Sequence, residues 1–278
     1  MRTFENTLYL SPVTTERAKT ALAGTRFAHL DWVPETGSTN ADLVAAAVAG
    51  AGDRALVADH QHAGRGRLER RWEAPPGASL LMSVLVRPPF PATGAHLLST
   101  ALGLAAVEAL DELAGVDVGL KWPNDVVAPG VGPDGADLKL GGLLAEMTGD
   151  AATGAVVLGI GLNVAWSGVG FPDELASTAT AVDLLGGQVE REDLVVALLR
   201  ALDPVAELAS ADACRSLVER YRRRCVTIGR RVRVELPGSE LLGTAADVAD
   251  DGALVVRGDD GTTTTVTVGD VVHLRPAD

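Results

Sequence analysis

Apolar positions change period repeatedly along the chain, and each change predicts an element. Residues 1 to 30 sustain no period and read as an irregular lead-in with one short helix. Gly37-Ser38-Thr39-Asn40 then precedes ADLVAAAVAG, a hydroxyl cap before an alanine-rich helix that stops at Gly50 or Gly52. Ala55 to Gln61 reads as a short buried strand, and Ser79 to Val86 (SLLMSVLV) as a second, ended by Pro88-Pro89. Between them, residues 62 to 77 are rich in Gly, Pro and Arg and carry no apolar period. A loop of that length suggests function rather than connection.

Residues 96 to 113 give the clearest helical pattern, with Leu97, Leu98, Ala101, Leu102, Leu104, Ala105, Val107 and Leu110 on the periodic positions. Its place after a strand predicts a helix laid on a sheet. Val118 to Trp122, Val126 to Ala128, Gly141 to Met147 and Ala155 to Val164 add four short strands, with a turn at 129 to 137. Helices follow near 191 to 208 and 211 to 224, ending in a run from Arg220 to Arg233 with seven arginines. Beyond it RVRVELPG, ALVVRGDDG and TTTTVTVGD alternate strictly between PG, DDG and GD turns. The pattern predicts an α+β domain over 1–228 and a small all-β barrel over 229–278.

Composition narrows the class. With 278 residues, 47% hydrophobic, 22% charged and two cysteines, the chain fits neither a collagen nor a coiled coil nor a disulfide scaffold. The formal charge of −13 repels polyanions on average, so an anionic ligand needs a local basic site. Cys214 and Cys225, spaced x10, match no zinc pattern, and no metal ligands are assigned. A reduced cytoplasm is expected. Neither an export signal nor a membrane span is expected from the N-terminal residues or from the apolar runs. Of 24 basic residues, Lys19, Lys121 and Lys139 alone are lysine. A compact ammonium differs from a planar guanidinium wherever one oxygen must be gripped, which singles out the two central lysines.

Four segments carry candidate chemistry. The loop HQHAGRGRLERRWEAPPG packs Arg65, Arg67, Arg70 and Arg71 around glycines, an anion site or a solvated surface. Four like charges with little apolar surface besides Trp72 make the loop one expected to order on binding a ligand. Leu120-Lys121-Trp122-Pro123-Asn124-Asp125 ends a strand in a polar turn, or buries an ordinary core tryptophan. Lys139-Leu140-Gly141-Gly142 sets an ammonium beside bare backbone, or blunts a sheet edge. Leu158-Gly159-Ile160-Gly161-Leu162-Asn163 opens one strand face, for a ligand or for close packing.

In this order the motifs GSTN, Gln-x-x-GRGR…W, KWPND, KLGG with the downstream Glu146, and GxGxN closely resemble biotin protein ligases, over about residues 35 to 165. Glu69 stands where many members have glycine. The resemblance implies a mixed β-sheet flanked by helices, related to lipoate ligases and class II tRNA synthetases, plus a small SH3-like C-terminal barrel. It implies biotin and ATP as substrates, with Mg2+ accompanying the ATP. Lys139, Arg67, Lys121 and Asp125 are the implied catalytic residues. Ser38, Thr39, Asn40, Gln61, Gly64, Arg65, Gly142, Gly159 and Gly161 would hold biotin. Arg67, Arg70, Trp72, Asn124, Lys139 and Asn163 would hold ATP. The implied partner is a biotin carboxyl carrier protein or domain of an acyl-CoA carboxylase, with no DNA and no membrane; a homodimer is compatible. Lipoate ligation on the same fold is the nearest rival, and GRGR with KWPND argues against it. A ligase that is also a repressor is disfavoured, since about 35 residues before GSTN leave little room for a helix-turn-helix domain. The Arg220 to Arg233 run reads as a solvated helix end and interdomain face, or as a nucleic-acid patch.

Overall fold

The computed structural model describes residues 12–87, 95–149, 154–236, 238–267 and 269–273. Pro88-Pro89 and residues 1–11 of the lead-in fall outside them. The elements run α1 (Pro12–Ala21), β1 (Leu30–Thr36), α2 (Thr39–Val48), β2 (Arg54–Gln61), β3 (Ser79–Val86), α3 (Ala95–Ala114), β4 (Gly119–Lys121), β5 (Asp125–Ala128), β6 (Leu138–Thr148) and β7 (Ala155–Asn163). They continue with α4 (Arg191–Leu202), α5 (Ala211–Arg224), β8 (Arg231–Leu236), β9 (Ser239–Val248), β10 (Leu254–Arg257), β11 (Thr263–Val266) and β12 (Asp270–His273).

Seven strands form one mixed sheet in the order β1-β2-β3-β7-β6-β5-β4, with β1 parallel to β2 and the remaining neighbours antiparallel. Side chains of β3 and β7 alternate between two faces, as strand geometry requires. Leu80, Met82, Val84, Val156, Leu158 and Ile160 enter the main core shared with α3, α4 and α5. Leu85 and Val157 face the other way, onto Leu43 and Ala47 of α2. Ser83, Gly159 and Gly161 share that second face by their spacing, and the functional site forms there.

β1 escapes a reading by pattern because Pro34 and its charged neighbours break the alternation. As an edge strand paired only to β2, it tolerates a residue with no N–H to donate. The helix near 191 to 208 stops at Leu202, where Pro204 forces Asp203–Ala209 into a 3-10 turn.

The C-terminal strands are not a barrel. They form an open five-stranded sheet, β11-β10-β9-β8-β12, in which β11 pairs only with β10 and β12 only with β8. The sheet does not need to close on itself to bury its apolar face, because Val232, Val234, Ala245, Leu254 and Val256 join the same core as α3 and α5. Trp122 ties the two sheets: its backbone N–H donates to Thr227 Oγ1 (3.0 Å) and its indole Nε1 to the carbonyl of Gly252 (3.0 Å). Within the arginine run, Arg220 and Arg224 tie α5 to Glu108 and Asp111 of α3, while Arg222 reaches Asp247 and Asp250 of the C-terminal strands.

Candidate active site

A cavity of about 480 Å³ opens on the α2 face of the large sheet. Of the site residues named from sequence, every one except Gly64 lines it. Gly64 acts one step back. A Cβ there would lie 2.3 Å from the Trp72 carbonyl oxygen, so its missing side chain lets the loop fold on itself. Trp72 N–H donates to the Gly64 carbonyl and Gly66 N–H to that of Arg70, making residues 64–72 a tight hairpin with Leu68 in the left-handed region (φ 54°).

Each of the four arginines of the hairpin has a partner within the chain. Arg65 reaches both carboxylate oxygens of Glu146 (3.0 and 2.8 Å). Arg67 donates to Asn124 Oδ1 (3.1 Å) and to the Gly269 carbonyl (3.2 Å). Arg70 pairs with Asp270 (2.5 Å) and Arg71 with Glu73 (3.8 Å). The partners of Arg65, Arg67 and Arg70 come from β6, the KWPND turn and the C-terminal sheet, distant in sequence, whereas that of Arg71 lies two residues on.

Positions along β7 order the site. At Gly159 the neighbour is Asn40, whose Oδ1 lies 2.2 Å from where a Cβ would stand. Thr39 N–H donates to Gln61 Oε1 (2.7 Å), and the Thr39 and Ser83 hydroxyls are 2.7 Å apart. These groups are polar and uncharged, and all but the half-buried Gln61 are buried. Ser38 caps α2 and completes this lining. Two residues on, Gly161 pairs with Gly142 of β6, and the Trp72 indole lies over both: a Cβ would meet it at 2.6 and 3.3 Å. Trp72 Nε1 is buried there with no hydrogen-bond partner. Lys139 Nζ lies 5.7 Å from that ring and 2.7 Å from Asp125 Oδ1.

At the third position, Asn163 is buried, donating to the Thr180 carbonyl (3.0 Å) and accepting from Ser79 (3.2 Å). It thereby anchors residues 164–182. The Lys139 backbone pairs with Thr178 and Thr180 on both sides (2.8 Å each), so this segment walls the cavity with Trp166, Phe171 and Leu175. Sequence reading missed that wall, which has no period, and missed Asp137 and Asp270 on the rim. It also missed Ser83, though a serine inside SLLMSVLV was a visible signal. Lys121 also faces the cavity. Its ammonium, after burial itself, helps hold His273 below the usual imidazole value, against the opposing Asp137 carboxylate. Among the described residues no cluster of three or more His, Cys, Asp or Glu is gathered to hold a metal, and no helix is long and apolar enough to cross a membrane.

Residues 49–163 match the biotin/lipoate A/B protein ligase family, and residues 227–274 match the biotin protein ligase C terminal domain. The biotin–[acetyl-CoA-carboxylase] ligase of Mycobacterium tuberculosis is 42% identical, covering 91% of this chain and 92% of that protein. The bifunctional ligase/repressor BirA of Escherichia coli is 31% identical over 74% of this chain, which spans 62% of that longer protein. A biotin protein ligase from Aquifex aeolicus, solved with biotin and ATP, superimposes with a TM-score of 0.74 at 25% identity, covering 90% of this chain and all of that one. The chain belongs to the biotin/lipoate A/B protein ligase family, as a biotin protein ligase.

Proposed function

We propose that the chain attaches biotin to a carrier protein in two steps within this one cavity, the first of them driven by ATP. A carboxylate is a poor acylating agent, so a biotin carboxylate oxygen first attacks the α-phosphorus of ATP. Pyrophosphate leaves and biotinyl-AMP forms. The ε-amine of an acceptor lysine then attacks the biotinyl carbonyl, an amide bond forms, and AMP departs with the anhydride oxygen. The observation that carries this reading is the succession along β7. A neutral hydrogen-bonding cluster stands at Gly159, bare backbone under an indole at Gly161, and cations beside it.

That order matches a molecule with a neutral ureido ring at one end and an anionic tail at the other. Thr39, Gln61, Ser38, Asn40 and the Arg65 backbone receive the ring, with Gly159 leaving room for Asn40 and Gly161 for the Trp72 indole beside it. Lys139 bridges the biotin carboxylate and the α-phosphate, Arg67 neutralises phosphate, Lys121 meets the remaining phosphates, and Arg70 holds the hairpin closed. Trp72 covers the adenine, flanked by Asn124 and Asn163. Asp125 holds the Lys139 ammonium until phosphate claims it, and is then left to orient the acceptor amine. Mg2+ enters with the nucleotide, for the nearby carboxylates of Asp125 and Glu146 are engaged by Lys139 and Arg65.

Residues 1–228 form the catalytic unit in this reading, and 229–278 complete its rim. The acceptor is a biotin carboxyl carrier domain of an acyl-CoA carboxylase, and the setting a reducing cytoplasm. Incubation with biotin and α-labelled ATP, followed by separation of nucleotides, should yield labelled biotinyl-AMP; AMP formation independent of biotin would refute the assignment. Arg67→Ala should raise the ATP KM by about tenfold or more and speed adenylate leakage, because a charge-assisted contact is lost. Its biotin affinity should change less, and steady-state kinetics with calorimetry would expose the reverse pattern.

A further inference from the structure

Besides holding Arg65, Glu146 terminates a continuous chain of hydrogen bonds that crosses four elements. It accepts from Arg65 and, at 2.8 Å, from Asn40 Nδ2. Asn40 Oδ1 in turn accepts from the Ser83 hydroxyl (2.6 Å). Ser83 lies 2.7 Å from Thr39 Oγ1, which lies 3.0 Å from Gln61 Oε1. Asn40, Ser83 and Thr39 are all buried, so water does not reset these bonds.

We propose that the Glu146 carboxylate is a positioning residue that sets the direction of every proton in this relay, and thereby presents acceptors to the ureido ring of biotin. This rests on the biotin reading above. A carboxylate can only accept, which forces Asn40 to present its amide nitrogen to Glu146 and its oxygen to Ser83. The single Ser83 proton is then committed to Asn40. At 2.7 Å the Thr39 proton must point to Ser83, or two lone pairs would face each other. Thr39 Oγ1 is also within hydrogen-bond reach of Gln61 Oε1 (3.0 Å), but its one proton cannot serve both neighbours, so the longer Thr39–Gln61 contact is the one left short of a proton. An N–H of the ureido ring satisfies both oxygens. Gly159 is part of the device, since any side chain there would displace Asn40.

Glutamine at position 146 removes the constraint. Its amide can donate to Asn40, whereupon Asn40 flips, Ser83 donates to Thr39, Thr39 donates to Gln61, and the acceptor pair is gone. Glu146→Gln should therefore weaken biotin binding about tenfold or more by calorimetry, with ATP KM and thermal midpoint little changed. Ser83→Ala, which cuts the relay with almost no change of shape, should do the same. The double variant Asn40→Asp with Glu146→Gln restores the polarity, since the introduced carboxylate accepts both from Ser83 and from the introduced amide, and should recover most of the affinity. Wild-type binding with either single variant within twofold of it, or a double variant weaker than Glu146→Gln, would overturn the relay. Failure of the wild-type chain to bind biotin would instead overturn the functional reading beneath it.

Discussion

Lys139→Ala is expected to lower biotinyl-AMP synthesis by about two to three orders of magnitude, measured as biotin-dependent pyrophosphate release. One preorganised charge at a phosphoryl transition state contributes about 3 to 4 kcal/mol. The local geometry adds to the loss. Lys139 Nζ lies 2.7 Å from Asp125, so alanine leaves an unpaired carboxylate facing the incoming phosphates. Replacing Asp125 by asparagine in the same chain should therefore recover part of the activity. Lys139→Arg should recover little, because the guanidinium is longer and planar and delivers no single ammonium. Near-normal pyrophosphate release from Lys139→Ala would remove this residue from the reaction.

Trp122→Ala is expected to cost about 3 to 5 kcal/mol of stability, read as a fall in the urea midpoint. Trp122 is buried, and its two N–H groups tie β4 to residues on both sides of the C-terminal sheet. Truncation removes the packing and strands the Gly252 carbonyl, while the backbone N–H that donates to Thr227 remains. Trp122→Phe keeps most of the volume but leaves Gly252 without its donor, and should cost about 1 to 3 kcal/mol. A loss below about 1 kcal/mol for alanine would mean that the sheets hold together without the indole.

That tryptophan shows where the sequence was legible and where it was not. KWPND was readable as a motif, but its parts separate in space: Lys121, Asn124 and Asp125 line the cavity, while Trp122 is a core residue. Residues whose neighbours lie nearby in sequence, such as Ser38 capping α2 or the alternating β7 glycines, could be placed from pattern. The long strands and α3 follow from apolar period alone. β1 was hidden because an edge strand need not alternate, and the 164–182 wall because only its pairing with Lys139 gives it a place. The barrel failed for a related reason. Alternation reports that a strand has one buried face, and is silent on whether that face meets its own sheet or another layer.

The contacts of Arg67 and Arg70 with Gly269 and Asp270 set an order on manufacture. A chain emerging N-terminal end first exposes GRGR, KWPND and the β7 glycines long before β12 leaves the ribosome. The hairpin meets its last partners only when residue 270 is free to pair with β8. Loss of Gly269 and β12 would leave GRGR, KWPND and the β7 glycines in place but take from Arg67 and Arg70 their partners Gly269 and Asp270.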